Sequence, residues 1–242
     1  MRYLTRRGDP ANLSFEALVS QPVEIHAEHY PTPGEKLADG LVHVVGLLAA
    51  AAGGGALLVL ALVTHGGAGL AVASSLYILC LIAMLSCSAA YNLTQATRAR
   101  PFLRRLDEAA IFLMIAGSYT PFTTQRFHGA WAIGMTALVW SVAAGGVAGK
   151  LLLKQAHERL WTLVYVAFGW LVLIAIQPLI TGVSVAALVL LVVGGLIYTT
   201  GTLFFHSERL PYRRAIWHGF VVVAAGVHYA AICTGVVLAA PI

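Results

Sequence analysis

The sequence predicts an all-α membrane protein, a bundle of seven transmembrane helices, and three observations support this. Of the 242 residues, 59% are hydrophobic and only 10% are charged, whereas soluble domains carry about 25% charged residues. Seven apolar segments of roughly 18–24 residues follow one another, and each is about long enough to cross a bilayer. The loops between them alternate in positive charge. A multi-pass protein of the cell membrane is therefore expected.

The chain divides into a leader and a helical domain. Residues 1–40 are polar and interrupted by prolines, which predicts a cytosolic leader with a short interfacial helix near Ser14–Val19. Residues 41–242 form the predicted transmembrane domain. Its apolar segments run near Leu41–Thr64, Gly69–Tyr91, Ala109–Thr123, Ala130–Gly149, Leu160–Pro178, Val183–Phe205 and Ala215–Ala239.

The third apolar segment is the shortest and contains Pro121. Its helix is expected to extend about a turn beyond the apolar stretch. A proline inside a membrane helix is tolerated because neighbouring helices satisfy the carbonyl that it frees.

Loop charges predict the orientation of the bundle. With seven spans, fourteen of the fifteen Lys and Arg residues fall on one side and Arg126 alone falls on the other. Positive residues accumulate in cytoplasmic loops, so the N-terminus is predicted inside and the C-terminus outside. The same distribution explains the basic excess as a topology signal, and we expect membrane lipids rather than nucleic acid as partners. Cys80, Cys87 and Cys233 lie in apolar segments and are interpreted as buried, unpaired thiols.

Polar residues of four predicted helices lie at one membrane depth, within a turn or two of the cytosolic surface. Two pairs are spaced four residues apart, which places each pair on one helix face. Asp107 enters the third segment from the same surface, and a carboxylate at the edge of hydrocarbon usually has a partner or a function. His228 lies ten residues beyond His218, roughly 15 Å deeper in the membrane. The residues at the shared depth are His43, Ser88, Asn92, Asp107, Arg214 and His218.

Five sequence motifs resemble those of the hemolysin III family, the bacterial branch of the progestin and adipoQ receptor family. The long motif of the third segment and that of the seventh are the most specific. The motifs lie at Glu35–His43, Ser88–Asn92, Leu106–Phe122, Tyr198–Phe205 and Leu210–Tyr229.

The resemblance implies a zinc site at the cytosolic depth. In the family pattern one histidine of the second span and two of the seventh bind the metal, while an aspartate of the third acts through a bound water. Three neutral imidazoles leave one position open on zinc, where a bound water becomes acidic enough to attack an amide or ester.

This chain departs from that pattern at two of the three ligands. Asn92 and Arg214 stand where the family has histidines, whereas Ser88, Asp107 and His218 match the family positions. A guanidinium beside the site would repel a cation. The sequence therefore predicts that the family zinc site is lost and that no cofactor is bound, with His218 as the one retained ligand.

A polar cluster is expected in place of the metal. Glu108 stands where the bacterial branch often has a histidine beside the aspartate. An Arg214–Asp107 pair with two parallel hydrogen bonds would occupy the place of the zinc. Two alternatives remain: a relocated metal site that uses His43 or His206, and an Arg214 that reaches lipid phosphates. His43 and His228 taken singly are more often satisfied core histidines than ligands.

Three classes of function are compatible with these features. The resemblance implies a membrane protein with a role in membrane-lipid homeostasis or in membrane permeabilisation. The adiponectin receptor branch suggests a zinc-dependent lipid amide hydrolase in which Ser88 and Asp107 hold catalytic positions, but Asn92 and Arg214 argue against an enzyme. The third class is a lipid-binding, receptor-like bundle. No apolar segment has the polar stripe that a water-filled channel lining requires.

Overall fold

The computed structural model describes residues 30–64, 67–94, 98–153 and 158–240, and in these ranges the secondary structure is helical with no strand. The all-α prediction is confirmed. The fifth segment contains α5, a 3₁₀ stretch at Trp170–Ala175 and α6, while a π-helical turn at Cys233–Val237 extends α8. The helices are α1 (Pro33–Val63), α2 (Gly67–Leu93), α3 (Arg100–Gln125), α4 (Gly129–Leu152), α5 (Glu158–Gly169), α6 (Ile176–Gly182), α7 (Val185–Phe205) and α8 (Arg213–Ile232).

Six helical segments of the described chain are long and apolar enough to cross a membrane. They comprise α1, α2, α4, the stretch from α5 through α6, α7, and α8 with its π-helical turn. The remaining helix, α3, carries a run of charged residues at its beginning. It packs against both α2 and α4, and the side chains from Phe112 to Thr123 are largely buried. The centre of the bundle is therefore its least apolar helix.

The first helix begins earlier than the apolar pattern predicts, at Pro33 rather than Leu41. The Thr32 hydroxyl accepts a hydrogen bond from the Glu35 backbone N–H, and Pro33 occupies the first helical turn. Both features are favourable helix starts because they suit the free N–H groups of that turn. The end of the proposed leader therefore belongs to α1. The interfacial helix expected at Ser14–Val19 lies outside the described residues.

Two glycines allow α3 to approach its neighbours closely. A Cβ atom on Gly146 of α4 would lie 2.4 Å from the ring of Phe112, which is fully buried. A Cβ atom on Gly117 of α3 would lie 2.7 Å from the Cβ of Cys80 in α2. Small residues at such points let membrane helices pack through direct backbone approach.

The helical break in the fifth segment is stabilised by Tyr119 of α3. Its hydroxyl accepts a hydrogen bond from the Val172 N–H at 2.8 Å and lies 2.8 Å from the Gly169 carbonyl, to which it donates. A 3₁₀ stretch leaves backbone groups that an α-helix would pair, and in hydrocarbon such groups need a partner inside the protein. Tyr119 provides that partner.

A charged cluster joins the first part of α3 and the start of α5 to the end of α4. The Glu108 carboxylate accepts hydrogen bonds from Arg104 Nε at 2.8 Å and from Lys150 Nζ at 2.6 Å. The Lys150 ammonium also lies 4.1 Å from the ring centre of Trp161, and the Tyr165 hydroxyl donates to the Glu108 carbonyl. Glu108 thus compensates a buried lysine.

We expect Tyr119→Phe to lower the free energy of unfolding by about 1–3 kcal/mol, because it leaves the Val172 N–H and Gly169 carbonyl without their side-chain partner. Thermal unfolding in detergent measures the loss. Tyr229→Phe is a matched control, since its hydroxyl bonds to Gly53, a carbonyl within continuous α-helix. Equal losses in the two variants would contradict this account of the break.

Candidate functional site

Three helices bring a set of buried polar side chains together at one end of the bundle. Asp39 and His43 are one turn apart on α1, Ser88 lies near the end of α2, and His218 lies near the start of α8. Each is less than one tenth exposed, and Asp39 is fully buried. We call these four residues the Asp39 cluster.

Asp39 connects the members of the cluster. One carboxylate oxygen accepts a hydrogen bond from His218 Nδ1 at 2.6 Å, and the other accepts from the Tyr30 hydroxyl. The Asp39 backbone carbonyl accepts from His43 Nδ1 at 2.8 Å. Burial, followed by the hydrogen bond to Asp39, raises the pKa of the Tyr30 phenol above its ordinary value, so Tyr30 remains a proton donor. Asp39 thus fixes the orientation of both imidazole rings.

Both imidazoles direct their second nitrogen at Ser88. The Ser88 hydroxyl lies 3.3 Å from His43 Nε2 and 3.4 Å from His218 Nε2. In the neutral form of each ring the proton lies on Nδ1, which faces Asp39, and Nε2 carries a lone pair, whereas the Ser88 hydroxyl has one proton to offer. The cluster therefore holds more acceptors than the Ser88 proton can satisfy.

The remaining predicted residues surround this core. Asn92 is buried one turn beyond Ser88 and donates from Nδ2 to the Ser88 carbonyl and hydroxyl, at 3.0 and 3.3 Å. Asp107 of α3 lies beside Ser88 and lines the same cavity as His218. The Arg214 guanidinium lies 5.7 Å from the ring centre of Tyr30. The catalytic roles of Ser88 and Asp107 stay predictions.

The predicted Asp107–Arg214 pair requires correction. Among the ion pairs of residues 30–64, 67–94, 98–153 and 158–240, none joins these two side chains. Arg214 lies one turn before His218 and packs on Tyr30, whereas the carboxylate that reaches His218 comes from Asp39 of α1. The centre of the cluster is an aspartate–histidine arrangement.

Sequence reasoning missed Asp39 and Tyr30. The signal for Asp39 was available, because Asp39 and His43 are spaced four apart and must share a helix face once α1 is known to begin at Pro33. Tyr30 carries no comparable signal. It lies in the proline-interrupted leader, and its buried position follows from tertiary packing alone.

The family zinc positions do not fit a metal in this chain, but another set does. Asn92, whose amide N–H group bonds to Ser88, offers at most an amide oxygen in place of an imidazole, and Arg214 is a cation and offers no ligand. The ligand atoms of Asp39, His43 and His218 lie within 4.8 Å of one another. Both rings contact Asp39 through Nδ1, so a metal held by all three residues would replace these hydrogen bonds. These three residues form a possible metal-binding group. His206 lies outside it, 3.0 Å from the Thr162 hydroxyl.

A cavity of about 980 Å³ opens beside the cluster. It runs between α3, the fifth segment, α7 and α8, and most of its lining is apolar. His43, Ser88 and His218 line it near the cluster, while Tyr198 and His228 line its inner part. A long apolar cavity with polar groups concentrated near one end has the form of a site for an amphipathic small molecule.

Comparison with known proteins agrees with the motifs. The family described as "Haemolysin-III related" matches residues 35–229. The chain is 32% identical over 189 residues to the Hemolysin-3 homolog of Bacillus subtilis, covering 78% of this chain and 88% of that protein. It is 31% identical over 188 residues to Hemolysin-3 of Bacillus cereus, covering 78% and 85%.

A human protein, the monocyte to macrophage differentiation factor, is 35% identical over 127 residues, covering 52% of each chain. The matched family region begins four residues before Asp39 and ends just beyond His228, so it contains the whole Asp39 cluster. This chain is a multi-pass membrane protein that belongs to the haemolysin-III related family.

Proposed function

We propose that this protein spans the membrane seven times and takes the acyl chain of a membrane lipid into its cavity, with the polar part of the lipid against the Asp39 cluster. The observation that carries the proposal is the cavity of about 980 Å³, apolar along most of its lining and bordered by His43, Ser88 and His218. A lipid matches that distribution because its chain needs apolar surface and its polar group needs hydrogen-bond partners.

The seven-span arrangement rests on α3. This helix has 26 residues and packs between two apolar neighbours, α2 and α4. A helix surrounded by protein does not need the apolar surface that lipid contact demands, because polar residues of membrane helices face the bundle interior. With α3 as a span, the loop charges place the N-terminus in the cytosol and the C-terminus outside.

Lipid handling accounts for the cavity better than permeabilisation does. The resemblance implies a role in membrane-lipid homeostasis or in permeabilisation. Permeabilisation needs a path with a polar lining along its length. Apolar side chains such as Ile115, Leu188 and Leu191 border this cavity instead. A role in membrane-lipid homeostasis is therefore our principal proposal, with a lipid-binding bundle as its molecular basis.

A metal-dependent hydrolase is the second candidate, favoured by the Asp39, His43 and His218 group. A divalent metal with an open coordination position supplies an activated water for attack on a lipid amide or ester. In this reading Asp39, His43 and His218 would hold the metal, Tyr30 would support Asp39, and Ser88 and Asp107 would border the bound lipid. The family ligand positions at Asn92 and Arg214 would contribute no ligand.

The topology proposal predicts opposite locations for two reporter fusions. A reporter fused after Ile242 should behave as extracytoplasmic, because an odd number of spans separates the termini. A truncated chain fused within Ala99–Leu103 should place the same reporter in the cytoplasm, after two spans. If both fusions report one side, the seven-span arrangement is wrong.

The lipid proposal predicts that filling the cavity displaces bound lipid. Leu191 and Leu196 lie on α7, but only Leu191 lines the cavity, while Leu196 is 53% exposed on the outer surface. We expect Leu191→Trp to reduce co-purifying lipid, measured by mass spectrometry, and to abolish thermal stabilisation by added lipid. Leu196→Trp should leave both unchanged. An unaffected Leu191→Trp protein, or equal losses in the two variants, would count against the lipid site.

The metal candidate predicts near-stoichiometric binding of Zn²⁺ by the metal-stripped protein in a calorimetric titration. His43→Ala and His218→Ala should each weaken binding at least tenfold, because each removes an imidazole from the group. His206→Ala, which alters a histidine outside the group, should bind as the unmodified protein does. Absence of Zn²⁺ binding, or an equal loss in His206→Ala, would exclude this site.

A further inference from the structure

A second polar pair faces the inner part of the cavity, far from the Asp39 cluster. His228 lies ten residues beyond His218 on α8, roughly 15 Å along the helix, and its ring centre is 5.6 Å from that of Tyr198 on α7. Both side chains line the cavity. The pair is seated by Gly194, where a Cβ atom would lie 2.5 Å from the His228 ring.

Each member of the pair has a hydrogen-bonding atom to spare. His228 Nδ1 donates to the Ala224 carbonyl at 3.0 Å, so Nε2 carries the lone pair and is an acceptor. Tyr198 has a hydroxyl that can donate. Within the part of the chain that the structure describes, neither His228 Nε2 nor the Tyr198 hydroxyl has a hydrogen-bond partner.

Other polar groups that line the cavity already have hydrogen-bond partners. Ser118 donates to the Ile115 carbonyl, and the Tyr119 hydroxyl bonds the broken fifth segment. Trp170 donates to the Thr199 hydroxyl, which itself donates to a carbonyl of its own helix. Polar atoms left without partners among apolar groups are costly. His228 and Tyr198 lie on neighbouring helices and both line the cavity. Their two unpaired atoms therefore point to a ligand that forms hydrogen bonds with them.

We propose that Tyr198 and His228 form a subsite for a hydroxyl group carried on the lipid chain. A hydroxyl both donates and accepts, so it can donate to His228 Nε2 while it accepts from Tyr198. A ketone oxygen could accept from Tyr198 but would leave His228 unsatisfied, and a plain methylene would satisfy neither. The substrate class is thus a lipid whose chain bears a hydroxyl well away from its polar end.

This inference rests on the proposed lipid site and adds selectivity for the chain. Its test compares octadecanoic acid with two isomeric hydroxy derivatives, which carry the hydroxyl at mid-chain or next to the carboxylate, using the purified full-length protein in detergent. We expect the mid-chain isomer to bind on the order of tenfold more tightly than the other two, as two neutral hydrogen bonds in an apolar cavity allow.

Variants assign the preference to the pair. Tyr198→Phe and His228→Phe should lose the preference for the mid-chain hydroxyl, so that each binds the two hydroxylated acids with similar affinity. Ser118→Ala is the matched control, because its hydroxyl lines the cavity but is already bonded within α3, and it should keep the preference. Melting temperatures of all variants report whether each remains folded. If His228→Phe does not fold, the test rests on Tyr198→Phe, which keeps the aromatic ring.

The outcomes separate the two proposals. Equal binding of all three fatty acids by the unmodified protein would overturn the hydroxyl subsite and leave the lipid site standing. A preference that survives in Tyr198→Phe and His228→Phe would overturn the assignment of the subsite to these residues. If the protein binds none of the three, the lipid site and the subsite both fail.

Discussion

The arrangement of the candidate site depends on one fully buried carboxylate, Asp39. A carboxylate removed from water must be compensated by hydrogen bonds or by positive charge. The Asp39 carboxylate accepts hydrogen bonds from Tyr30, which precedes α1, and from His218 on α8. The first and last helices are therefore joined through one side chain, and the orientation of both imidazoles follows from it. The acceptor nitrogens face Ser88 because the donor nitrogens are already committed to Asp39.

The same rule explains the charged cluster on the opposite wall of the cavity. Lys150 is nearly buried at the end of α4, and Glu108 and two aromatic rings compensate its charge. One wall of the cavity thus ends in an aspartate with histidines and the other in a glutamate with a lysine. Each cluster joins side chains from more than one helix among the residues that border the cavity.

Much of the fold could be predicted because hydrocarbon imposes a simple rule on sequence. Six segments met the length and apolarity of a membrane helix, and their positions followed from composition. The start of α1 could not be read from apolarity, because Pro33 and Thr32 determine it through capping. The 3₁₀ break in the fifth segment likewise depends on Tyr119, a residue about fifty positions earlier. Membrane depth correctly grouped His43, Ser88 and His218, but depth alone cannot state which side chains touch. The wrong prediction of an Asp107–Arg214 pair arose for this reason. Both residues lie at the predicted membrane depth, but the carboxylate that bonds to His218 is Asp39 of α1.

The substitutions at the family zinc positions are consistent with this geometry. Asn92 and Arg214 lie one turn from Ser88 and His218, each on the same helix face as its neighbour. At both places a donor replaces a ligand, and Asn92 gives its hydrogen bonds to Ser88 while Arg214 packs on the ring of Tyr30. Neither Asn92 on α2 nor Arg214 on α8 offers an imidazole to a metal. On the side toward α1, Asp39 adds a carboxylate that holds His43 and His218 together. A cation that enters this cluster would meet the Asp39 carboxylate and the imidazoles of His43 and His218.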